Sequence, residues 1–273
     1  MKKFFKVLGI ALLSVMFLVL SLVPISNTMA QNWSPGLHEG MLVRPTFTRQ
    51  ASTVIVITGG IYHHYGASEQ ILIVTDVINY TPNTSGIGWW YIYIDDTDIQ
   101  SNGNNLISGD DLYVSTTAPV KSYNARYHPT STYDRCIFAY YNDQASVSIR
   151  DFYHDGGRYV EYWSTLGGMN FTDIDTSWTD VTVNMPDFGD NSQASVLFEG
   201  WRISNDGNHL YHRKNGSDSS GMRVGYVTTG VHRSQLSKTV TVDINQKIEV
   251  RMESSGGSKM AVSTMGFFLP MGM

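Results

Sequence analysis

Beyond residue 30 no stretch sustains a 3.6-residue hydrophobic period over three turns, whereas short alternating segments closed by Gly, Asn, Asp or Ser recur about every ten positions. Alternation at period two puts successive side chains on opposite faces of an extended backbone. Such segments bury their apolar faces by pairing into sheets, so the expected fold class is all-β, built from antiparallel β-sandwich or jelly-roll-like modules.

The individual segments can be placed. "STVIVITGG" predicts a strand over 52–58 that stops at Gly59-Gly60, and "QILIVTDVINY", 70–80, is a continuous apolar run of the kind buried on both faces. "GWWYIYIDD" predicts a strand over 88–95, and "DDTDIQSNGNNLISGDD" after it reads as a loop or wide turn. "ASVSIRDFYHDGGRYVEYW" predicts a hairpin, 146–154 with 158–163, folded at Asp155-Gly156-Gly157. About fifteen short strands exceed what one ordinary two-sheet sandwich holds. Two modules in tandem are therefore expected, 51–165 and 175–273, dividing around 163–177 where "TLGGMNFTDIDTS" is polar and Gly-rich. A single larger sandwich is the alternative.

The amino-terminal segment reads differently. Lys2, Lys3 and Lys6 precede an apolar run to about Val23 and the small-residue approach Thr28-Met29-Ala30, the layout of a secretory signal peptide over 1–30. Retention of that run as a membrane anchor is the alternative. The expected location is secreted or at the cell surface, with no stable membrane insertion after cleavage. Residues 31–50, with Pro35 and Pro45, are expected to be extended, and "GLHEGMLVRPTFTRQ" is a candidate to complete a neighbouring copy's sheet.

Removing residues 1–30 takes three of the 19 basic residues and no acid, which leaves 16 against 24 and a net charge of −8. So acidic a chain lacks the basic footprint that nucleic acid or anionic lipid requires, and no nucleic-acid partner is expected. Cys136 is the one cysteine, which excludes an internal disulfide; within "RCIFAYY" it is expected to be a small core residue.

Several segments, in order, resemble a known group of modules. "GWWYIYIDD", "LYVSTTAPV", "YHPTSTYDRCIFAYYND" and "IRDFYHDGGRYVEYW", followed by "HLYHRKNGSD" and "KTVTVDINQKIEVRMESSGGSKMAVSTMGFFL", are similar to β-rich bacteriophage tail-fibre and tail-tip proteins and related secreted bacterial proteins. The resemblance covers about 50–270 and consists of strand and turn residues. It implies β-sandwich, jelly-roll-like modules that commonly assemble as trimers and display binding surfaces. Tail fibres lack a signal peptide, so its presence here points to the same module used at a cell surface.

Three sets of residues are candidates for a site. Trp89, Tyr91 and Tyr93 share one face of their strand, spaced on the scale of sugar rings, and are the candidate glycan ladder. Packing in a core or between subunits is the competing role of such rings. Asp95, Asp96 and Asp98 are the candidate Ca²⁺ ligands; no other cofactor is expected, and the spacing departs from the twelve-residue calcium loop because Ser101 stands where that loop needs Gly. Adjacent His63 and His64 point to opposite faces, and His209 and His212 differ in parity, so neither pair is set to chelate zinc. Asp151, Asp155, Glu161 and Glu199 are the carboxylates a glycoside hydrolase would draw on. There is no G-x-S-x-G elbow, P-loop or dinucleotide fingerprint. The expected function is a secreted, non-enzymatic structural or adhesive protein that forms homo-oligomers, a trimer or an extracellular fibre, and binds surface glycans. A carbohydrate-active enzyme or soluble lectin is the alternative.

Overall fold

The computed structural model describes residues 41–273 except 66–68, 75, 103–104, 123–124, 132, 167–171, 203–207, 228–233 and 255–257. The expected signal peptide and most of the expected extended segment lie outside the described residues. Those described are nearly all β, in five antiparallel sheets, with one short helix.

The central layer is a five-stranded sheet ordered β8 (Leu112–Ser115), β7 (Gly88–Ile94), β11 (Arg135–Asn142), β10 (Ala125–Tyr127) and β9 (Val120–Ser122). A sheet of β12 (Phe152–Tyr153), β13 (Tyr159–Leu166), β21 (Ser258–Phe268), β16 (Gln193–Arg202) and β19 (Ser234–Thr241), with β14 (Thr172–Ile174) also on β21, packs against one of its faces. Against its other face lies β2 (Thr46–Ala51), in a sheet with β3 (Val54–Thr58) and β6 (Ile78–Tyr80). The remaining sheets join β1 (Met41–Val43), β4 (Ile61–Tyr65) and β5 (Glu69–Ile73), and β15 (Thr179–Thr182), β20 (Lys247–Met252), β17 (Asn208–Lys214) and β18 (Met222–Val227).

Strands at the sides of this stack alternate in burial as their sequences do: VIVIT and KIEVRM each bury every second residue. β7 and β11 are buried on both faces because a layer lies on each side of them. Phe138 stacks on Phe47 of β2 at 4.1 Å, while Trp89 meets Tyr162 of β13 and Phe267 of β21 edge-on at 6.0 and 5.4 Å. Aromatic pairs in these geometries add about 0.5–1.5 kcal/mol each beyond the area they bury.

Four segments differ from what their sequences predict. The run 70–80 is split between β5 and β6, in different sheets, with Asp76 and Val77 exposed between them. The hairpin turn at Gly156-Gly157 is present, but its first strand shortens to β12 and its second lengthens to Leu166. The expected loop after β7 begins with a helix, α1 (Asp96–Asn102), whose seven residues are too few to display a helical period. Within the candidate donor segment, 41–43 belong to β1 and 46–50 to β2, paired to β4 and β3 of the same chain. Each of β1 and β2 is the edge strand of its sheet, paired on one side only.

The expected boundary near 163–177 does not coincide with a division of contacts: the described residues from 41 onward fall in one compact unit. Hydrogen bonding crosses it, because β13 pairs with β21, the last strand. Gly266 permits this close approach: a Cβ there would collide with the Val160 carbonyl and the Tyr159 ring. The final segment "MGFFLPMGM" supplies core rather than an open patch, with Phe267, Leu269 and Met273 fully buried. Three arginines grip its backbone: Arg158 Nε donates to the Leu269 oxygen at 2.9 Å, Arg135 Nη2 to Gly272 at 2.6 Å and Arg44 Nε to Met273 at 2.6 Å.

Candidate functional site

The structure buries the expected aromatic ladder. Tyr91 and Tyr93 are 2% and 0% exposed and Trp89 is half-buried. Trp89 Nε1 donates to Asn184 Oδ1 at 2.9 Å, the Asp187 N–H donates to the Tyr91 hydroxyl at 2.7 Å, and the Tyr93 hydroxyl donates to the Thr117 carbonyl at 2.7 Å. Tyr93 also stacks on Tyr113 at 5.4 Å. Burial pushes the Tyr91 and Tyr93 hydroxyls well above the usual phenol range, so both stay protonated and serve as fixed hydrogen-bonding posts. No flat face of Tyr91 or Tyr93 is open to a sugar. The ladder is the seam between the central sheet and its neighbours.

The three aspartates part company as well. Asp95 Oδ1 accepts from the N–H groups of Thr97 and Asp98 at 2.9 and 3.4 Å and so caps α1. Asp96 Oδ1 lies 2.9 Å from His64 Nε2, its own N–H donates to Asp134 Oδ1 at 3.1 Å, and the Tyr113 hydroxyl donates to Asp134 Oδ2 at 2.7 Å. Asp98 stays in solvent. They do not converge on one point, and among the described residues no group of three or more His, Cys, Asp or Glu is placed to hold a metal.

His64 and Asp96 form a buried pair, with Arg135 near by, fully enclosed. Arg135 Nη1 donates to the His63 carbonyl at 2.5 Å and its guanidinium lies 5.0 Å from the centre of the Tyr62 ring. Burial lowers the His64 pKa and favours the neutral ring, against the opposing pull of the Asp96 carboxylate. Enclosed as it is, this network fastens β4, α1, β11 and the chain's last residues together. Cys136 is fully buried beside it, and burial raises its thiol pKa, which disfavours a reactive thiolate. His128, in the turn read from "YHPT", accepts or donates at 3.1 Å with the Thr130 hydroxyl.

The carboxylates of the hydrolase reading scatter. Asp155 accepts from the Gly157 N–H at 2.9 Å and shapes the hairpin turn, Glu199 is buried on β16, and Asp151 is paired with Arg49. Glu161 stands in solvent, and its surroundings are distinctive. On the outer face of the β12–β13 hairpin Tyr153 lies directly opposite Glu161, and Trp163 follows two residues along the same face. Tyr153 is 56% and Trp163 79% exposed, while Phe152, Val160 and Tyr162 fill the inner face. With Ser164, Thr165 and Met265 they border a shallow depression of about 460 Å³. This is a pair of open aromatic side chains beside a carboxylate and two hydroxyls. Parity carried the signal: Glu161 is a charge between two alternating apolar positions, and it marks Trp163 as outward. "WWYIYI" contains no such polar marker.

The Tyr153–Trp163 face is positioned from behind by His154. Its Nδ1 accepts from the Phe47 N–H at 3.2 Å, so its Nε2 carries the proton and donates to the Gly157 carbonyl at 2.9 Å, tying the turn to β2.

The chain matches no family model and no curated protein. Among solved structures it is similar to "Structure of infectious bursal disease virus Gx strain" at a TM-score of 0.23 and 9% identity, over 84% of this chain and 72% of that one. A likeness so slight carries no argument about fold or function.

Proposed function

We propose that this chain is an exported, non-enzymatic structural or adhesive protein that assembles with copies of itself, as a trimer or extracellular fibre, and contacts surface glycans through the Tyr153–Trp163 face. The observation that carries the glycan half is the exposure of two aromatic side chains on one sheet face with Glu161 and the hydroxyls of Ser164 and Thr165 around them. An apolar ring face stacked on indole, with hydroxyls met by polar neighbours, is the chemistry a sugar offers to such a surface. The assembly half rests on the resemblance of the strand series to tail-fibre modules. The expected Ca²⁺ dependence has no support in the geometry around Asp95, Asp96 and Asp98 and forms no part of the reading.

Trp163→Ala and Tyr153→Ala are expected to weaken binding on a glycan array by at least about fivefold, the loss expected for a stacking aromatic worth roughly 1–3 kcal/mol, without lowering the melting temperature. Unchanged binding in both variants would sink the glycan assignment. The enzymatic alternative would draw on Glu161, the carboxylate on this aromatic face. Release of reducing sugar that disappears in Glu161→Gln would replace the adhesive reading with a hydrolase.

A further inference from the structure

A cleft of about 380 Å³ opens where β9 and β10, the turn at Asp190 and Asn191, and the end of β21 meet. Its walls are cationic in a chain whose formal net charge is −5. Lys121 comes from β9, Arg126 from β10 and Arg158 from the residue before β13. Among the described residues the carboxylate that lines it is Asp190, and Lys214 already holds that group at 2.7 Å.

Both guanidiniums are fixed by main-chain oxygens and keep donors in hand. Arg158 is held through Nε, which donates to Leu269 at 2.9 Å. Arg126 Nη1 and Nη2 donate to the Ala125 and Phe188 carbonyls at 3.4 and 3.2 Å, each with a second N–H left over. Three cationic side chains open onto one cleft, and charge-assisted hydrogen bonds favour an anion among them. Planar guanidinium forks match the two oxygens of a carboxylate or an oxyanion. The rest of the lining narrows the choice. Gln193 offers an amide, Ser192 a hydroxyl that donates to the Gly189 carbonyl at 2.7 Å and keeps its acceptor side, and Phe268 and Met271 form an apolar wall, with Met271 65% exposed. Hydroxyl-matching groups and an apolar wall suit a small hydroxylated ring better than a bare ion, and the volume lies at the low end of small-molecule sites, roughly 300–1,000 Å³.

We propose that this cleft binds the carboxylate of an acidic sugar unit, of the uronic-acid class. It shares no residue with the Tyr153–Trp163 face, so the two assignments can fail separately.

Titration calorimetry of the full protein tests it with glucuronate, glucose, inorganic sulfate and inorganic phosphate as probes. Glucuronate is expected to bind, glucose not to bind, and the two inorganic anions to bind more weakly than glucuronate. Lys121→Ala, on an exposed edge strand, is expected to weaken glucuronate several-fold. Arg126→Lys, which keeps the charge but loses the fork, is expected to weaken it by about tenfold at an unchanged melting temperature. Trp163→Ala is expected to leave glucuronate binding intact. The assignment is overturned by absence of glucuronate binding, by sulfate or phosphate binding as tightly, or by binding that survives both cleft substitutions; glucuronate binding lost in Trp163→Ala would move the site to the aromatic face.

Discussion

His154 shows how much one buried side chain decides. Its ring bridges the Phe47 N–H and the Gly157 carbonyl, an arrangement that requires a neutral imidazole with an unprotonated Nδ1. Burial lowers its pKa, and it lowers those of His64 and His212 in the same way. For a base whose folded pKa is depressed, the unfolded chain takes up the proton first, so stability is full above the unfolded value and is lost as pH falls toward the folded one. Stability is therefore expected to decline below about pH 6.5, by at most about 1.4 kcal/mol per pH unit for each of the three rings. Urea melts at pH 7.5, 6.5 and 5.5 would check this, and His212→Phe should reduce the slope, since His212 lies beside Phe198 with neither ring nitrogen bonded. An unchanged urea midpoint over that range would contradict the neutral, buried assignment. "HH", "YHD" and "YHR" in the sequence gave the positions of these rings and nothing about their enclosure.

β7 and β21 show the same limit over longer stretches. The alternation of "GWWYIYI" divides its side chains correctly between two faces, yet both faces are covered, one by β2 and one by β13 and β21. The strand is consequently a packing seam, and Phe267 on β21 is where several layers meet: its ring lies 5.4 Å from Trp89, 6.1 Å from Tyr162 and 5.9 Å from Phe188. Phe267→Ala is expected to cost about 3–5 kcal/mol, read from the urea midpoint, because neighbours in three segments close over the cavity only in part. A loss below about 1 kcal/mol would mean that the sheets do not interlock there. The helix α1 was half legible, since Asp95, Asp96 and Asp98 carry the chemistry of a cap and an acidic first turn. Seven residues leave too few turns for periodicity to reveal it.

For the protein as a whole, the pairing of β13 with the last strand holds the described residues in one unit, with the hairpin that bears Tyr153 and Trp163 on a sheet anchored by the carboxy-terminal strand. Strands β1 and β2 pair within the chain and leave one edge each unpaired, so assembly, in the reading proposed above, would proceed by contact between finished faces or such free edges. Sedimentation velocity over a hundredfold range of concentration is expected to give a trimer or larger species. A monomer at every concentration would end the assembly half of the proposal.

The sequence by itself determined the class of structure and the parity of its alternating strands, because these depend on backbone geometry and on neighbours one or two residues away. It also marked the outward face of β13, where Glu161 interrupts the apolar positions. Only the tertiary structure decided which faces are covered, that "QILIVTDVINY" divides between two sheets, and that Lys121, Arg126 and Arg158 line one cleft. Those outcomes depend on pairings between residues a hundred or more positions apart, as between Tyr159 and Phe268, which no local pattern encodes.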